Sequence, residues 1–158
     1  MRRLFYAAFA SMLLGVASGL FYREFTKGND FTGDTQLALV HTHLLALGMT
    51  VFLILLALEK LFAVAESPLF GWFFWVYSAG ILVTTGAMTA QGILAVLGRE
   101  HSAAIAGIAG LGHIALLVGL VLYFVALRPK VLAARPAVAA TGSATAEPAT
   151  TEAVATGR

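Results

Sequence analysis

Two histidines, His41 and His43, stand one residue apart inside Thr35–Leu58, a stretch with no Asp, Glu, Lys or Arg and long enough to cross a bilayer. Ionisable side chains in hydrocarbon are costly unless a partner or a bound group offsets that cost. Neutral imidazole is also the commonest protein ligand for transition metals. Residues two apart on a helix point about 200° away from each other, so one helix offers an imidazole to each side. A third histidine, His113, lies in another uncharged stretch, His101–Leu127. Ala106, Ala109 and Gly110 precede it by seven, four and three residues, which predicts a smooth helical face beside the imidazole with room for a flat, bulky ligand.

Three chemistries suit these residues. A haem b held by His113 and by His41 or His43 from a facing helix would carry out electron transfer, haem handling or sensing. Copper or another divalent metal could use the same three imidazoles, with Met49 or Met88 adding a thioether that selects Cu(I). In the third reading the histidines only form hydrogen bonds. The chain is then a non-catalytic subunit or assembly partner of a larger membrane complex, or a homo-oligomer. Thr89, Met88 and Gln91 are the expected supporting residues of a site. His101, beside Arg99 and Glu100, reads as solvated. No carboxylate, cysteine or lysine falls inside the uncharged stretches to act as base or nucleophile, so no catalytic constellation is visible.

The elements that must position these groups follow from composition. Hydrophobic residues make up 59% of the 158, charged residues only 11%, and mean hydropathy is +0.88. Soluble domains average about 25% charged residues, so the lipid bilayer is the expected surrounding. With no cysteine there is neither a disulfide nor a thiolate site, and a net charge of +2 gives no reason to expect nucleic acid. Uncharged runs at Leu4–Tyr22, Thr35–Leu58, Ser67–Gly98 and His101–Leu127 predict an all-α fold, an up-down bundle of four transmembrane helices. The spans are expected at about 4–22, 36–58, 72–97 and 103–127, forming a membrane domain over 1–128. Residues 129–158, rich in Ala, Thr, Pro and Glu, are expected to be a disordered tail.

Finer features complete this expectation. Phe70, Trp72, Phe73, Phe74 and Trp75 suit an interfacial belt. Asp34 is placed to cap the second helix, and Gly98 to end the third. Ala7, Ser11, Gly15 and Gly19 form a stripe of small residues for close helix contact, which argues against a cleaved signal peptide. Lys and Arg outnumber the opposite side if both termini are cytoplasmic, in a bacterial inner membrane. At about 1.5 Å per residue His41, His43 and Gln91 lie about 7, 10 and 10 Å from the far surface, and His113 about 15 Å. His43 is therefore nearer in depth to His113 than His41 is.

The segments Phe21–Lys27, Phe31–Leu37, Val40–Met49 and Gly107–His113 resemble an uncharacterised bacterial family of small four-helix membrane proteins, a domain of unknown function, over about residues 1–128. The pattern His41, His43, Leu44 and Gly48 also resembles the haem-binding helix of the large subunit of haem–copper oxidases and nitric oxide reductases. That resemblance implies that His41 and His43 are axial ligands reaching opposite sides of one helix. The chain has fewer helices and lacks three further histidines for a copper or iron centre, so haem ligation alone carries over.

Overall fold

In the computed structural model, which describes residues 1–100 and 102–143, four helices alternate in direction: α1 (Arg2–Gly28), α2 (Leu37–Phe62), α3 (Pro68–Val96) and α4 (Ala103–Ser143). Each is long and apolar enough to cross a membrane, and no strand occurs among the described residues. The chain is a four-helix membrane bundle.

Helix ends are set by local chemistry. α1 runs six residues past Tyr22 because nothing in Arg23–Lys27 breaks a helix, whereas Gly28-Asn29-Asp30 does, with Asp30 at φ +50°. Thr35, not Asp34, opens α2: its Oγ1 accepts from the Leu37 N–H at 3.3 Å and donates to the Gly92 carbonyl of α3 at 2.9 Å. α2 ends at Ala63 in the left-handed region, and a single 3₁₀ turn, Val64–Glu66, leads to Ser67, whose Oγ caps α3 ahead of Pro68. Gly98, at φ +66°, follows the end of α3. α4 continues beyond residue 127 to Ser143; from residue 144 the expected tail lies outside the described residues.

Packing forms two hairpins, α1–α2 and α3–α4, that meet across α2 and α3. Small residues decide both hairpins. A methyl group placed at Gly48 of α2 would lie 2.5 Å from Ser11 Oγ of α1, and one at Gly15 would lie 2.8 Å from Leu45. In the second hairpin, methyls at Gly112 and Gly119 of α4 would come within 2.8 Å of backbone or Cβ atoms of Thr84 and Tyr77, and one at Gly80 within 2.8 Å of the Leu116 nitrogen. These helices therefore approach at backbone distance, where dispersion contacts substitute for the hydrophobic drive that lipid cannot supply.

Aromatic rings fill the half of the bundle nearer Glu66. Tyr77 packs edge-on to Phe52, and Phe73 touches both Tyr77 and Tyr123. The expected belt is thus divided: Phe70, Phe73 and Phe74 are buried, and only Trp72 and Trp75 face outward. Phe has no polar edge to keep near water, whereas indole does.

Candidate functional site

His43 of α2 and His113 of α4 come together. Their ring centres lie 6.3 Å apart with the planes at 88°. Each Nδ1 lies 2.9 Å from the carbonyl oxygen four residues earlier, Leu39 for His43 and Ala109 for His113. A carbonyl can only accept, so each Nδ1 must carry the proton, and in the neutral ring Nε2 is left as a lone pair. This is the orienting bond that metal-bound histidines commonly make. Two imidazoles of fixed tautomer, on different helices, thus stand next to each other.

The spacing has a chemical scale. With a metal–nitrogen bond of about 2.0 Å and about 1.2 Å from nitrogen to ring centre, two imidazoles in line across one ion have centres about 6.4 Å apart. The observed 6.3 Å matches. Beside His113, a methyl on Gly110 would meet nothing within 4 Å, and Ala106 is exposed. His113 itself is exposed and His43 half-buried, so the gap opens to the surface of the bundle.

The remaining candidates go elsewhere. His41 faces α1, its Cβ 3.6 Å from where a methyl on Gly19 would sit, and its buried Nδ1 has no partner. The two histidines of α2 thus serve opposite sides of the helix. Met49 lines a crevice with Phe5, Phe9 and Met12 on the α1 side, and Met88 is buried in the core. Thr89 donates to the Thr85 carbonyl and lines a groove of about 590 Å³ between α1 and α3, floored by Val40 and Leu44. Gln91, almost fully buried, uses both ends of its amide on the Ser102 backbone and so latches α3 to the start of α4. His101 lies outside the described residues. No cluster of three or more His, Cys, Asp or Glu suited to a metal occurs among the described residues.

Two contributors escaped the sequence reading. Immediately after His43, α2 widens into a π-helical segment, Leu44–Thr50, and Tyr77 Oη donates to the Leu47 carbonyl inside it at 2.9 Å. A lone tyrosine in an apolar span, whose hydroxyl must find an acceptor, was the available clue. At the opposite end of the bundle Lys130 of α4 pairs with Glu66, and the ammonium holds that carboxyl below its usual range.

The chain belongs to a family described as "Protein of unknown function (DUF2871)", whose model matches residues 1–130, the whole four-helix bundle up to Lys130. No curated protein and no solved structure matches it.

Proposed function

We propose that this member of a family without an assigned activity is a membrane haem protein, with one haem b held between His43 and His113. The observation that carries the reading is the pair itself: two Nδ1-anchored imidazoles whose ring centres stand at the separation that two ligands in line across one ion would have. Open space at Gly110 leaves breadth for a macrocycle beside His113. With His43 and His113 both holding it, the group would supply one-electron transfer rather than gas binding. The protein's own part is to fix both tautomers, keep Nε2 free and surround the iron with hydrocarbon. We orient the bundle with both termini in the cytoplasm of a bacterial inner membrane, since Lys and Arg concentrate at that end. The pair then lies in the leaflet away from the termini. A bare metal ion in line between the same imidazoles is the second reading, supported by the same separation.

Detergent-purified protein made with ample haem should show a Soret band, which His43→Ala and His113→Ala each remove while leaving expression intact. The perpendicular ring planes further lead us to expect a strongly anisotropic low-spin ferric EPR signal. Colourless wild-type protein would defeat the haem reading. Stoichiometric copper that both substitutions remove would establish the second.

A further inference from the structure

The two imidazoles meet only if the His43 end of α2 has the right rotation about the helix axis, and the structure shows what sets it. Up to His43 the helix is α; over Leu44–Thr50 it is π; from Val51 it is α again. The lower part is fixed by burial of Phe52 and Leu55 in the core. A π turn takes in one extra residue, so it rotates the upper part against the lower by about 100°, the turn per residue of an α-helix. An unbroken α-helix over the same residues would carry His43 away from α4.

The π segment has an identifiable support. In an α-helix the Val51 N–H would donate to the Leu47 carbonyl; here it reaches back five residues to Ala46. That leaves the Leu47 oxygen free, and Tyr77 Oη takes it. Thr50 Oγ1 similarly donates to the Leu45 carbonyl at 3.0 Å. Tyr77 is fully buried, and the Cβ of this α3 residue lies against Gly119 of α4. One side chain therefore grips the irregular turn of the helix bearing His43 while its base rests on the helix bearing His113.

We infer that Tyr77 is a positioning residue for the His43–His113 pair, acting through the Leu47 carbonyl to hold the π turn that aims His43 at α4. It touches neither imidazole. The inference concerns the pair's geometry; only its spectroscopic consequence rests on the haem reading. The absence of cysteine makes a cofactor-free measurement clean. His43→Cys and His113→Cys are combined in the full chain and bridged with thiol reagents of graded length, with and without Tyr77→Phe. Tyr77→Phe keeps the ring and loses only the donor. We expect it to lower the yield with the shortest effective reagent about fivefold, the scale of one hydrogen bond. With both histidines present it should weaken cofactor retention to a similar extent, and 4-aminophenylalanine at position 77, which restores a donor, should recover both. Unchanged bridging in folded Tyr77→Phe protein overturns the proposal. If Tyr77→Phe does not fold, Thr50→Val, at an exposed position on the same segment, carries the test: reduced bridging supports the inference and unchanged bridging overturns it. A bridging loss in protein that never binds haem would sink the haem reading and leave the positioning role standing.

Discussion

The gap between α2 and α4 and the groove between α1 and α3 are both lined by polar side chains that turn back on their own helices, with opposite results. In the groove, Ser18, Thr85 and Thr89 donate to the carbonyls of Gly15, Ile81 and Thr85. Their donors are consumed, and the wall offers methyl and methylene groups to lipid. Across α2, His43 and His113 make the same kind of bond, but an imidazole has a second nitrogen at the far end of a rigid ring. Back-bonding therefore leaves a free lone pair on the far nitrogen, beyond the reach of the helix's own carbonyls. A hydroxyl bonded this way has spent its donor, whereas a histidine keeps an acceptor nitrogen at its far end. His41, whose ring makes no such bond, is a third case, packed against α1.

The largest effect that could break this contrast is a reversal between the two histidines of α2. On the proposed reading, His43→Ala should lower bound cofactor at least tenfold, and His41→Ala should leave occupancy within about twofold, since only the first would remove a ligand. Quantifying haem and metals per chain decides it, and the opposite order would mean that the α1 side holds the site. A smaller effect should come from Gly112→Leu, which forces a side chain into the Thr84 backbone without touching either imidazole. Overpacking of that kind costs about 1–3 kcal/mol. Thermal unfolding in detergent should register the loss, with cofactor release following it; release without destabilisation would show that α4 is held by something other than close contact with α3.

The smallest effect belongs to the far end of the molecule. The Glu66 carboxyl is lowered by its hydrogen bond to the Lys130 ammonium and by that charge. A carboxyl depressed in the folded state adds stability that is present above its unfolded value and lost as pH falls through the lowered one. Glu66→Gln should therefore flatten the acid limb of a stability profile slightly and change nothing at the histidine pair. Glu66 is exposed and its ion pair with Lys130 lies at the surface, so high salt should mimic the substitution.

Much of this architecture is legible in the residues. The four spans follow from the spacing of charge, the Ala7–Gly19 stripe does meet α2, and Gly98 does follow the end of α3. Depth counting also puts His43 nearer than His41 to His113, and the two rings do meet. What the residues do not disclose is rotation. Thr89 shares a depth with the histidines, yet it faces the α1–α3 groove, because depth counts residues along an axis and is blind to angle about it. The π segment is hidden for the same reason: Leu44–Thr50 has ordinary helix formers, and its irregularity depends on a hydroxyl of α3, thirty residues further along the chain. Gln91 has the composition of a site residue, but its partner, the Ser102 backbone, is defined only once the hairpin has formed.

The connectivity of the bundle also imposes an order on its biogenesis. His43 emerges with the first hairpin and His113 with the last helix, and the π turn that aims His43 stays unsupported until Tyr77 has been made. A nascent chain therefore has no competent ligand pair while it is threading into the bilayer. On the proposed reading, a group shared by both imidazoles would be captured only after α4 has been made, so its loading would report a fully inserted molecule.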